Sequence, residues 1–209
     1  THREFFEKLA QSATLPTTSQ IPPAQFADCC EALVAEGHTV VIITVSSRLS
    51  GTYQSAAIAA SDYPGQVFVV DSLSAAIGQR ILLLRGLQLA AQGMDAREIV
   101  AALDEEKLNI RVMAMIDTLE YLKKGGRVSA ATALAGTVLS IKPAIEIKDG
   151  LVAMAGKARG TRQGNVLLRE LIAKHGGVNF SKPVALVYSG TSDELLQKFI
   201  AEGGELWQG

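Results

Sequence analysis

The chain has 209 residues, 48% of them hydrophobic and 20% charged, with a formal net charge of −1. This is the balance of a globular α/β protein with one large or two small domains, and it excludes fibrous and disordered classes. With aromatics at only 5%, core and cavity must be built mostly from Ala, Leu, Ile and Val, surfaces better suited to an alkyl chain than to a stacked ring.

Residues 3–11 read as an amphipathic helix, charged rather than signal-peptide-like. No run of about 18 apolar residues occurs, so stable membrane insertion is not expected and a cytoplasmic location is. A Pro-broken polar loop from Pro16 to Pro23 leads into a helix over 24–36. Cys29 and Cys30 on that helix are adjacent and read as thiols in a reducing compartment. Val40–Val45 has the short apolar pattern of a buried parallel strand. A Ser/Gly turn and an Ala-rich helix over 52–61 follow. Val67–Val70 reads as a second buried strand, and helices are predicted over 75–92 and 95–107, the latter opened by an acidic capping box, Asp95 with Glu98.

From Arg111 the pattern changes. A strand is predicted over 111–116, then a helix capped by Asp117–Glu120 and ended by Gly125 and Gly126. Ser129 opens another predicted helix. Residues 142–147 and 151–157 flank Lys148-Asp149-Gly150 as a β-hairpin. A helix over 161–174, a strand over 183–188 and a helix over 193–202 with a Thr191–Glu194 capping box complete the reading. The expected architecture is a three-layer α/β/α parallel-sheet domain over 1–109, then an α/β domain with a mixed sheet and a hairpin over 110–209. Two strands are few for a parallel sheet, so a missing strand or a second chain is expected at its edge.

Charge is uneven. Residues 123–169 hold nine Lys/Arg against Glu146 and Asp149, a net of +7, and the remaining eleven Lys/Arg and nineteen Asp/Glu leave −8 elsewhere. A basic half of this kind points to an anion or an acidic partner. Nucleic acid is not expected, because aromatic side chains do not interleave with the basic ones.

The turn Ser46-Ser47-Arg48-Leu49-Ser50-Gly51-Thr52 joins a strand to a helix. There, unpaired amides and the helix dipole favour an anion. Ser50 either donates to such an anion or simply caps the helix, and the local sequence leaves both open. Thr17–Gln20 reads first as a helix cap. Arg127, after the glycine pair, and Arg159, before Gly160, have the residue type that grips carboxylate or phosphate in a fork, although either alone also fits an ordinary surface charge. No P-loop, Gly-x-Gly-x-x-Gly or Gly-x-Ser-x-Gly motif is present. His2, His38 and His175 sit at a terminus or beside helix-ending glycines, so no general base is apparent.

Six stretches together resemble the DegV family in order along the chain. They are Thr18-Ser19-Gln20, Ser46 through Ala56, Val70-Asp71-Ser72, Asp117 through Arg127, and Ile141-Lys142-Pro143 with Lys157-Ala158-Arg159-Gly160. The resemblance implies a two-domain fold enclosing a long-chain fatty acid between the domains, with no other cofactor. In some members the bound carboxylate is presented to an ATP-dependent fatty acid kinase subunit, which makes an acyl phosphate for phospholipid synthesis. Thr18 and Ser50, with Gly51 beside them, match the family's carboxylate-binding positions. Arg127 and Arg159 match basic residues associated with the phosphorylated headgroup or the kinase. The chain is then a binding subunit and not an enzyme. The rival readings are a self-sufficient esterase or small-molecule kinase, or a lipid-sensing regulator.

Three departures from the family pattern accompany the match. The family's opening strand and its closing His-bearing segment are not found, so a piece of a longer protein is expected. Arg80 stands two residues after Gly78, near where relatives prefer a small side chain, and is expected to reshape the lipid tunnel. Enclosing about fourteen methylenes at about 0.8 kcal/mol each would contribute on the order of 11 kcal/mol before binding costs.

Overall fold

A computed structural model describes residues 1–128 and 141–207. The first part alternates helix and strand: α1 (His2–Gln11), α2 (Pro23–Ala35), β1 (Val40–Thr44), α3 (Thr52–Ala60), β2 (Val67–Asp71), α4 (Ile77–Ala91) and α5 (Ala96–Glu106). β1 and β2 pair in parallel from Val40↔Val67 to Thr44↔Asp71, as consecutive strands joined by a crossover helix must. Val70 packs with Leu82 and Leu89 of α4 and Ile99 and Leu103 of α5, with Val41 and Ile43 beside them. α2 and α3 pack on each other and on the same strands. α3 brings Ser55, Ala56 and Ala59 into contact, side chains small enough for a helix to lie close.

α5 begins as the sequence predicts: Asp95 accepts from the Arg97 and Glu98 amides, and the Glu98 carboxylate accepts from the Asp95 amide. A 3-10 turn at Lys107–Asn109 leads to the second sheet. That sheet has the order β3 (Met113–Met115), β4 (Ile141–Lys148), β5 (Leu151–Arg159) and is antiparallel throughout. Among the described residues, the parallel pairing expected in this domain is seen at the isolated bridge Val128↔Val152. The β4–β5 turn has Asp149 at φ 50° and Gly150 at φ 78°. This is the doubly left-handed pair that an Asp-Gly hairpin favours, because its twist matches the flanking strands. α6 (Glu120–Lys124) precedes the undescribed stretch, in which the helix predicted from Ser129 falls; α7 (Gly160–Lys174) and α8 (Glu194–Glu202) follow β5.

Two expectations fail here. Residues 183–188 form no strand, because no described segment offers their backbone a ladder partner. The Thr191–Glu194 capping box is also absent: Asp193 is the N-cap without a side-chain bond to the helix amides, and Ser192 Oγ instead accepts from the Glu194 amide.

Candidate functional site

The turn after β1 is built from Ser46. Its carbonyl accepts from the amides of both Leu49 and Ser50, at 3.0 and 3.2 Å, which curls Ser46–Ser50 into the start of α3. Ser50 Oγ accepts from the Thr52 amide at 3.3 Å and lies 2.9 Å from Thr52 Oγ1. Gly51 is the N-cap of α3 and has no side-chain bond to the helix amides, so the Ser50 bond comes from one position before the cap. Its hydroxyl remains half-buried beside first-turn amides of α3 that have no intrahelical acceptor.

Gly51 leaves room for Gln20. A Cβ at Gly51 would stand 1.8 Å from Gln20 Oε1, and Gln20 Nε2 donates to Ser55 Oγ at 3.2 Å. The Pro-flanked loop is thereby laid over the start of α3, with Thr18 exposed two residues before the contact. Gln20 is the member of the Thr17–Gln20 motif that touches the turn, and composition alone did not single it out.

A second loop meets the first from the end of β2. Asp71 Oδ1 accepts from the Ser47 amide at 3.1 Å and the Leu73 amide at 3.0 Å, so one carboxylate fastens both loops. Ser46 donates its amide to the Ser74 carbonyl at 2.7 Å. Leu73 and Ala76 have φ of 49° and 48°, a region costly for residues with a Cβ and concentrated where structure over-determines the backbone. The sequence signal here was the Val70-Asp71-Ser72 motif, which includes the Asp71 that fastens the loops.

The second domain reaches this place twice. α6 ends in a Schellman motif, in which Arg127 donates its amide to Leu122 O and Gly126 donates to Lys123 O, with Gly126 at φ 70°. This reversal carries Arg127 toward the turn: its Nε donates to Leu49 O at 3.4 Å, beside Ser50, and its Nη1 donates to Gly125 O at 2.5 Å. Neighbouring cations are used locally, Lys124 with Glu120 at 2.6 Å and Lys142 with Asp117 at 2.7 Å. The hairpin tip is the second reach: Ser46 Oγ donates to Gly150 O at 2.8 Å and Arg48 Nη1 to Asp149 O at 2.7 Å.

Arg159 is placed elsewhere. It is exposed at the opposite end of β5 from the hairpin, roughly 25 Å away along the strand at about 3.3 Å per residue. Its amide donates to Gln163 Oε1 at 3.1 Å. Arg80 is exposed on α4, and Gln79 is the side chain turned to the strands, donating to Ile43 O at 3.0 Å. The expectation that Arg80 reshapes an internal tunnel has no contact behind it. The histidines serve packing and surface pairs: His2 lies edge-on to Phe6 and Tyr188, and His175 approaches Glu146 at 3.7 Å.

Two apolar grooves of about 500 and 480 Å³ run along residues 180–186, one against Ile200 and Trp207 and the other against Leu84 and Leu87. Neither touches the Ser46–Thr52 turn. Volume and chemistry point to different places, and polar convergence from two domains marks the turn as the candidate site. No described helix is long and apolar enough to cross a membrane.

Fold and site define a two-domain α/β protein whose second domain meets the first at the carboxyl ends of its parallel strands, where open α/β sheets bind ligands. The profile described as "Uncharacterised protein, DegV family" matches residues 1–204, and the chain belongs to the DegV family. A DegV domain-containing protein of Caldanaerobacter subterraneus subsp. tengcongensis is 32% identical over 197 residues, covering 92% of this chain and 69% of that protein. Among solved structures, a fatty-acid-binding DegV family protein from Thermus thermophilus superposes with a TM-score of 0.83 at 31% identity, covering 99% of this chain and 72% of that one. A stearic-acid-binding protein from Eubacterium ventriosum superposes with a TM-score of 0.73 at 28% identity, covering 84% and 62%. The chain thus spans about two thirds of the length of the proteins it matches.

Proposed function

We propose that this protein binds one long-chain fatty acid between its domains, holds the carboxylate at the Ser46–Thr52 turn, and presents it to an ATP-dependent kinase partner. The carrying observation is the convergence of the Ser50 hydroxyl, the α3 amino terminus and Arg127 from the second domain on one turn. It is supported by the fatty-acid-binding relatives of like fold. Hydroxyl and amide donors suit a carboxylate, whereas an arginine gains most when further negative charge develops on phosphoryl transfer. Thr18 is assigned to the carboxylate with Ser50 and Gly51, since its loop lies over Gly51. Arg159, far along β5, is assigned to the kinase surface. The protein supplies binding and orientation, and the partner supplies the nucleotide and the chemistry.

Denaturing extraction of purified protein followed by mass spectrometry should recover about one acyl chain per protein. Ser50→Ala and Thr18→Ala should each weaken retention about tenfold, since a hydrogen bond to a charged group contributes roughly 1.5–3 kcal/mol. Recovery of no acyl chain refutes the carrier reading, and unchanged retention in both variants leaves Ser50 only its bond to the Thr52 amide. Arg127→Ala and Arg159→Ala should retain lipid while slowing its phosphorylation by the partner.

A further inference from the structure

Ser46 and Arg48 make a contact that neither the fold nor the carboxylate reading requires. Ser46 is fully buried at 0% exposure. Its hydroxyl donates to Gly150 O at 2.8 Å and accepts from the Arg48 amide at 3.2 Å, while Arg48 Nη1 donates to Asp149 O at 2.7 Å. The two carbonyls at the tip of the β4–β5 hairpin are thus held by two donors, two residues apart, from the other domain. Gly150 fits only because it lacks a Cβ, which would stand 2.5 Å from Ser46 Oγ and 3.4 Å from Leu73 Cδ2. Leu73 in turn keeps its left-handed backbone through Asp71, which also holds Ser47. Both strand-exit loops therefore close on one tip. Ser46 is also the residue whose carbonyl receives the Ser50 amide, so movement of the tip is passed directly to the carboxylate turn.

From this arrangement we infer that Ser46 and Arg48 are positioning residues: they latch the hairpin tip to the carboxylate turn and set how fast a bound fatty acid leaves. The inference rests on the binding reading above and extends it from which residues touch the ligand to which residues keep the cleft shut. The latch bonds end on backbone carbonyls, so they constrain geometry without selecting the ligand. Ser50, by contrast, acts on the carboxylate itself. Loss of a latch donor should raise the release rate.

The test preloads the protein with a fluorescent long-chain fatty acid and follows transfer to excess phosphatidylcholine vesicles. Amide exchange at residues 149–152 is measured in parallel on lipid-free protein. Arg48→Ala and Ser46→Ala should release lipid about tenfold faster, as expected for loss of one hydrogen bond of about 1 kcal/mol or slightly more, and should exchange faster at the tip. Arg48→Lys, which keeps a donor, should restore both rates toward wild type. Leu82→Ala, which lowers stability without touching either loop, supplies the background for destabilisation alone. Arg48 is exposed, so its variants will fold even where Ser46→Ala does not. Wild-type release and wild-type tip exchange in Arg48→Ala overturn the inference, as does equal acceleration by Leu82→Ala. A wild-type protein that takes up no fatty acid refutes the binding reading instead, and tip exchange then decides the latch alone.

Discussion

β1 and the stretch 183–188 have nearly the same local sequence character, Val-Val-Ile-Ile-Thr against Pro-Val-Ala-Leu-Val-Tyr, yet only β1 is a strand. β1 finds β2 in register along its whole length and α4 and α5 beside it, so one edge of its backbone is paired and its side chains are partly or fully covered. Residues 183–188 find no ladder among the described residues. Val187 is left 64% exposed, and the stretch is fastened at its ends instead, by Lys182 to Glu106 at 2.9 Å and by Tyr188 and Gly190 to His2. An apolar β-branched run proposes a strand. Satisfied backbone donors and acceptors decide it.

The comparison predicts a steep difference in what each region contributes. Leu103 is fully buried in the α4–α5 core, and Leu103→Ala should lower unfolding free energy in urea by about 2–5 kcal/mol through lost burial and a residual cavity. A loss under about 1 kcal/mol would mean that this core collapses freely, removing the contrast.

The next largest effect is at the tie between the two regions. Arg85 grips Glu106 through two bonds of 2.7 Å, and Lys182 adds a third from the exposed segment. The hydrogen bond from Arg85 above all, with help from Lys182, lowers the Glu106 pKa to about 2 from an ordinary 4.5. A depressed carboxylate stabilises the fold fully above its unfolded pKa and loses that contribution as pH falls through the folded one. Between pH 4.5 and about 2 the protein should lose roughly 2–3 kcal/mol from this group, after a discount for its partial exposure. Comparing urea midpoints of wild type and Glu106→Gln across that window checks the sign. A variant with the wild-type acid dependence would remove the assignment.

A smaller effect is expected at the capping box of α5, where Asp95→Ala should cost about 1 kcal/mol, since two first-turn amides lose their acceptor. Smallest of all, Val187→Ser should change stability by no more than about 0.5 kcal/mol, as for a surface position. If Val187→Ser instead costs as much as a core substitution, the segment is buried in solution and its likeness to β1 is real.

Several features were legible in the sequence because their physics is local. Apolar period, Gly and Pro punctuation and capping residues act within a few positions, which is why α1 to α5, the Asp149-Gly150 turn and the end of α6 at Gly126 lie within a residue or two of where they were expected. Ser50 and Gly51 were identifiable for the same reason, as part of one strand-to-helix turn. Tertiary structure alone decided which distant residues meet them. Arg127 and Arg159 stood out alike in the sequence, by their glycine neighbours and the family resemblance, but the Schellman reversal aimed Arg127 at Leu49 while Arg159 was carried to the far end of β5. Gln20 over Gly51 and Ser46 against Gly150 span 31 and 104 positions. No local pattern encodes such contacts, because they depend on the packing of two domains and on the space left by a glycine's missing Cβ.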